Sequence, residues 1–253
     1  THLGYPQCKY IFQPDSLKGK DVHVWDLPCS SSYAISNNAC DSGEVYTRNV
    51  GNSFNLTIAD WTWGGTPAIL RAYIQFDITT LSQLKCMAQN ATLEFYHHQV
   101  SSKYHCGETS TLQSCISNEF YINRVIEQWE EDSVRWFNQP NVTSSIYGQD
   151  YVIVPDNSEP YNNYSIDITE MVNFWIANPD SNLGMRLKHS NENIYNRVEI
   201  ASSDHTNPAL WPKLTITLAC MDSSCTNLIS GYFFDDRDSN CVLDTSMDKS
   251  LKN

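Results

Sequence analysis

Ala72-Tyr73-Ile74-Gln75-Phe76-Asp77-Ile78 alternates side-chain character residue by residue and sets Ile74, Phe76 and Ile78 on one face. A period of two is the mark of a strand with one face buried and the other wet. Leu214-Thr215-Ile216-Thr217-Leu218 repeats the pattern, and Ala91 to Tyr96, Tyr151 to Val154 and Met185 to Lys188 read likewise. Gly64-Gly65, Asn37-Asn38, Pro179-Asp180 and Asn207-Pro208 punctuate the chain as turns. Many short strands with turn signals between them predict an all-β, jelly-roll-like β-sandwich.

One stretch departs from this period. Ile168, Val172, Trp175 and Ile176 recur at helical spacing after a Thr169 cap and stop before Asn178-Pro179, which predicts one short helix covering an end of the sandwich. Ile122, Val125, Ile126 and Trp129 also fit a helical stripe, but their β-branched content leaves helix and strand both open. At 253 residues the chain can bury one full core. We expect a main domain over residues 1–220 and a C-terminal extended tail over 221–253. A chain that opens on Thr1 rather than Met fits a processed protein or a trimmed sequence.

The net charge of -13 argues against nucleic acid and anionic membranes as partners, because binding there begins with neutralising phosphates. Apolar runs fall short of the roughly 18 residues of a membrane helix, so no membrane insertion is expected. The nine cysteines lack paired zinc-ligand spacing and point to disulfides in an oxidising, extracellular setting. Close spacing in loop-like sequence favours Cys29 with Cys40 and Cys106 with Cys115, and the odd count leaves one thiol over, for which Cys241 is the candidate. Four sequons, at Asn55, Asn90, Asn141 and Asn163, are glycosylation candidates.

Trp129-Glu130-Glu131-Asp132-Ser133-Val134-Arg135-Trp136-Phe137-Asn138-Gln139-Pro140 resembles the W-x-E-x-x-V-x-W-N-x-Q-P signature of DNRLRE domains. The segments from Gln13 to Asp21, Arg71 to Leu81, Ala91 to Tyr96, Tyr164 to Trp175, Asn182 to Met185 and Pro212 to Leu214 follow in family order. The similarity covers about residues 8 to 219. It implies an extracellular jelly-roll-like sandwich of surface and secreted proteins, some of whose relatives bind acidic polysaccharides such as alginate. It implies no one activity, since function rests on a site rather than on a fold. Cysteine-bearing insertions at 27 to 42 and 101 to 118 depart from the family pattern.

The tail carries its own signals. Ile229-Ser230-Gly231-Tyr232-Phe233-Phe234 is an apolar strand without a visible partner and resembles the first strand of B-type repeats of surface adhesins. Ile229, Tyr232, Phe233, Phe234 and Cys241 are therefore assembly candidates, with copies of the same chain as partners. Asp236, Asp238, Asn240, the Val242 carbonyl and Asp244 fall at alternate positions of an EF-hand-like loop and are candidate calcium ligands. Cys241 in the usual glycine position and Met247 in the usual bidentate acidic position depart from that motif.

Catalysis finds little support. His97-His98, His105, Asp204-His205 and Glu130-Glu131-Asp132 are the tempting groups, yet none sits in a catalytic motif, and His97 and His98 on a strand point to opposite faces. No enzyme activity is expected. Sugar binding needs aromatic faces beside polar groups, and Trp61, Trp63, Tyr104, Tyr161 and Tyr195 lie in loop-like sequence as candidates. Two functions follow: first, a non-enzymatic extracellular subunit of a filament assembled head to tail; second, a carbohydrate-binding or adhesin module of a larger cell-surface protein.

Overall fold

The computed structural model describes residues 7–14, 19–36, 51–63, 65–84, 86–97, 117–146, 148–155, 163–192, 196–220, 234–235 and 249–250. The strands are β1 (Gln7–Phe12), β2 (Lys20–Asp26), β3 (Asn55–Trp63), β4 (Thr66–Gln75), β5 (Cys86–Phe95), β6 (Phe120–Arg124) and β7 (Tyr151–Val154). They continue with β8 (Tyr164–Asp167), β9 (Met185–His189), β10 (Asn196–Ala201), β11 (Lys213–Cys220), β12 (Phe234–Asp235) and β13 (Lys249–Ser250). Two α-helices, α1 (Ser32–Ser36) and α2 (Thr169–Ala177), interrupt them.

The all-β sandwich holds. The segments predicted as strands between residues 72 and 218 are strands, although β4 ends at Gln75, so Phe76 and Ile78 are buried beyond its end; the strand predicted over Ile229 to Phe234 lies outside the described residues except for Phe234. A four-stranded sheet in the order β1-β11-β5-β8 faces a larger sheet in the order β10-β3-β4-β9-β6-β7. β4 makes this possible by its length. One edge pairs with β2 from Gln75 to Ile69, while the other is shared by β3 at residues 66 to 70 and β9 at residues 72 to 74. All of these ladders are antiparallel.

The alternation read from sequence becomes the core. Ala72 and Ile74 of β4, Met185 and Leu187 of β9 and Ile122 of β6 meet Leu93 and Phe95 of β5 and Leu214, Ile216 and Leu218 of β11. Each fully buried large apolar side chain contributes about 1.5–3 kcal/mol relative to exposure. Ile122 therefore belongs to a strand, and the helical reading of residues 122 to 129 gives way to β6 followed by an extended segment. Val125 and Trp129 turn away from the central core into a second cluster with Val22, Val24, Tyr73 and Val134.

The predicted helix is α2, and Met171, Val172 and Trp175 form its buried face. Thr169 is its first residue rather than its cap: Asp167 Oδ1 accepts from the Thr169 amide at 2.9 Å and from its hydroxyl at 2.6 Å. Asn173 fixes the helix to the small sheet where the β5–β11 register skips Gln89, donating to the Ala88 carbonyl at 3.0 Å and accepting from the Ala88 amide at 2.8 Å. α1 was not anticipated, since its five residues carry no helical stripe.

The approach to β9 depends on Gly184. Its φ of +84° is left-handed, and a Cβ there would lie 2.5 Å from the Ile74 carbonyl oxygen. Gly184→Ala is expected to cost about 1–3 kcal/mol or more, read as a lower urea midpoint at unchanged m-value.

Candidate functional site

The Trp129–Pro140 segment packs on the outward face of β2 and β4. Trp129 is buried against Tyr73, with ring centroids 5.8 Å apart, and its indole N–H donates to the Leu183 carbonyl at 2.9 Å. Lys20 lies over the indole ring at 4.9 Å and donates to the Trp129 carbonyl. A turn follows, closed by the Val134 amide on the Glu130 carbonyl, and Asn138 braces it by donating to the Ser133 carbonyl at 3.1 Å. Gln139 ends the segment by accepting from the Tyr73 hydroxyl at 2.9 Å and Arg71 Nη1 at 3.2 Å. These side chains hold the segment in place.

Among the described residues, the Trp129–Pro140 segment reaches as far as Tyr73. Beyond it the outward face of the large sheet continues across β9, β6 and β7, and pairing register aligns Tyr73, Arg186, Asn123 and Tyr151 in one row. Neighbouring strands lie about 4.8 Å apart, so the row spans about 14 Å. Lys188, Tyr121 and Ile153 form the next row. Tyr121 and Tyr151 lean together with ring centroids at 4.9 Å, and Ile153 is exposed. Arg186 Nη2 donates to Asn123 Oδ1 at 3.0 Å, while its buried Nε–H has no hydrogen-bond partner among the described residues.

The border of this face is a charged clamp. Arg71 grips both carboxylate oxygens of Glu192, at 2.7 and 2.8 Å, and its guanidinium lies 4.4 Å above the Trp136 ring. Lys188 adds a third contact to Glu192 at 3.3 Å. Burial by itself would raise the Glu192 carboxyl, but the hydrogen bonds and charge of Arg71 and the charge of Lys188 outweigh it and hold the group below its ordinary value. A depressed carboxylate adds stability above its unfolded pKa of about 4.5 that disappears as pH falls through the folded value. Urea stability of the native protein relative to Glu192→Gln should thus be constant from about pH 7 to 5 and shrink below about pH 4.5.

Such a face offers tilted aromatic rings, fixed guanidinium donors and a carboxylate acceptor on strands that cannot move independently. Aromatic faces take the apolar side of a sugar ring, and forked donors take pairs of adjacent oxygens. The model of carbohydrate-binding module family 96 matches residues 30–218, most of the chain. The chain belongs to carbohydrate-binding module family 96. The family span lies within the stretch that resembles DNRLRE domains and ends before the adhesin-like tail. No curated protein matches the chain.

Within this family 96 module, Trp61 and Trp63, two of the aromatics singled out from sequence, fall elsewhere. Both are half-buried at the end of β3, where they pair with Ala68 and Thr66 of β4, away from the 72–74 stretch that β9 joins. Trp63 packs on Trp25, with centroids 4.8 Å apart, over Leu27, Ala34 and Ala68. Tyr104, Tyr161 and Tyr195 lie outside the described residues, as do Asp236, Asp238, Asn240, Val242, Asp244, Ile229, Tyr232, Phe233, Cys241, Cys40, Cys106 and Cys115. Phe234 is in β12, which pairs with β13 of the same chain. Asn90, Asn141 and Asn163 are exposed, whereas the Asn55 amide is engaged by Thr57 at 2.9 Å and Glu199 at 3.3 Å.

Cys29 is disulfide-bonded, and so is Cys86, which sequence spacing did not single out. Cys8 on β1 is a free thiol, so Cys241 is not needed to account for an odd count. Of the catalytic-looking groups, His97 is buried in a bridge to Ile200, and His98 and His105 lie outside the described residues. A buried Asp60–His189 pair at 2.8 Å has a dyad's contact, but no side chain placed as a nucleophile accompanies it among the described residues.

Sequence reasoning missed one convergence. Asp21 of β2, Glu131 of the signature segment and Asp204 after β10 each place a carboxylate oxygen within 4.8 Å of the others. Burial, and then the Asp204 charge, push Asp21 up to about 7 against the opposing hydrogen bond from Ser203. Burial, and then the charges of Asp21, Asp204 and Asp132, push Glu131 up to about 8.

Proposed function

We propose that this family 96 module binds a polysaccharide along the uncovered outward face of β9, β6 and β7, with the Trp129–Pro140 segment as its wall. The observation that carries the proposal is the pair of half-buried residues Arg186 and Tyr151, aligned by register with the buried Tyr73 and Asn123 and lying beside the Arg71–Glu192 clamp. Tyr121 and Tyr151 supply the stacking surface. Arg186, which donates to the neutral Asn123, and Lys188 supply positive charge on a chain that is acidic overall. That local charge favours a polymer bearing carboxylates over a neutral one, with short-range attraction acting inside the roughly 10 Å screening distance.

The protein works as a binding module and not as a catalyst, and the half-cystines at 29 and 86 support an extracellular location. Assembly through the C-terminal segment rests on residues outside the described set, and family membership favours the binding role over it. Native gel electrophoresis through embedded polysaccharides tests the proposal. Mobility should fall in at least one uronic-acid polymer and less in neutral glucans and xylans. Equal mobility in every polymer would contradict it.

A further inference from the structure

We propose that Asp21, Glu131 and Asp204 bind a single calcium ion that fastens β2, the signature segment and the β10–β11 loop together. The inference is independent of the glycan-binding reading. Three carboxylates, each with an oxygen within 4.8 Å of the other two, converge from segments far apart in the sequence. Asp21 is the anchor. Its side chain is fully buried, its Oδ2 accepts from the Ser203 amide at 2.8 Å, and its equally buried Oδ1 has no hydrogen-bond donor among the described residues. A buried carboxylate oxygen left without a donor or cation is costly to keep.

Among the described residues, the groups that act on Asp21 are the Ser203 donors and the Asp204 carboxylate, with no basic side chain among them. Lys20, the adjacent cation on β2, is turned to the Trp129 carbonyl and to Glu130 at 3.5 Å. A divalent ion would neutralise the charge and give Asp21 Oδ1 a partner. Three oxygen donors with no nitrogen or sulfur among them select a hard cation over zinc. Glu131 and Asp204 are only half-buried, which leaves space for the water ligands that complete the six to eight oxygens of calcium. Magnesium, smaller and stricter about octahedral geometry, should bind less well.

The test uses the full chain dialysed against EGTA, with thermal unfolding and calorimetric titration by calcium chloride. Extracellular calcium sites have dissociation constants of roughly 0.1–1 mM, so about 5 mM calcium should raise Tm by roughly 3–6 °C. The shift and the corresponding heat of binding should vanish in Glu131→Gln and in Asp204→Asn. Both variants should melt at or above the native protein in EGTA, because each removes one member of a crowded carboxyl cluster. The double variant Asp236→Asn/Asp238→Asn, in the acidic tail loop, should keep the shift. A native protein whose melting and calorimetry do not respond to calcium would overturn the proposal, as would a shift that survives both cluster substitutions.

Discussion

Trp129→Ala should destabilise the module by about 3–5 kcal/mol, the range for emptying a buried aromatic site. The indole fills the second apolar cluster among Val22, Val24, Tyr73 and Val134, and its removal strips contacts from both β2 and β4. It also leaves the Leu183 carbonyl without its 2.9 Å donor and Lys20 without the ring beneath it. Trp129→Phe keeps most of the packing and loses the N–H, so it should cost about 1–3 kcal/mol, chiefly from the unpaired carbonyl. Urea denaturation of both variants at pH 7 checks the order. A loss below about 1 kcal/mol for Trp129→Ala would mean that the signature segment is not anchored through this residue.

Binding should respond most to Arg186 and the tyrosine pair. Arg186→Ala removes a guanidinium held by Asn123 in the middle of the row, and Tyr121→Ala with Tyr151→Ala removes the stacked rings beside it. Central arginine and aromatic contacts cost about 2 kcal/mol or more when truncated, so each change should weaken polysaccharide binding about 30-fold. Trp61→Ala, at a position paired with Ala68 at the end of β4 away from β9, should leave affinity within about two-fold of the native protein. Isothermal titration with the polymer that retards the protein most gives the comparison. Loss of binding in Trp61→Ala with retention in Arg186→Ala would move the site to the end of β3.

Local periodicity made much of this fold legible. The alternation in residues 72 to 78, 91 to 96 and 214 to 218 reflects contact with one shared core, which no other arrangement of those side chains would satisfy. The stripe of Ile168, Val172 and Trp175 was equally plain. By contrast, the run from Ile122 to Trp129 was ambiguous because it feeds two cores in succession: Ile122 enters the inter-sheet core, and Val125 and Trp129 enter the cluster on the opposite side. No single period describes a segment that changes sides.

The site was less legible, for a different reason. Tyr121 and Tyr151 occupy alternate positions of short strands, as ordinary sheet residues do, and only the cover over β2 and β4 makes their part of the face an open one. Trp63 stood out by residue type and by its loop-like setting, yet its neighbours are Trp25 and a small apolar cluster. The carboxylates at 21, 131 and 204 carry no spacing signal at all, because their meeting depends on three separate chain reversals. Residue chemistry named plausible ligands, but which of them share a surface is decided by tertiary pairing.

Titrating isotope-labelled protein with an oligosaccharide of the bound polymer, followed by amide and side-chain chemical shifts, maps where the polysaccharide lies. The largest shifts should fall on Tyr121, Asn123, Tyr151, Arg186 and Lys188, with the Arg71 guanidinium at the margin. Shifts concentrated on Trp61 and Trp63, or on the β1-β11-β5-β8 sheet, would contradict that placement.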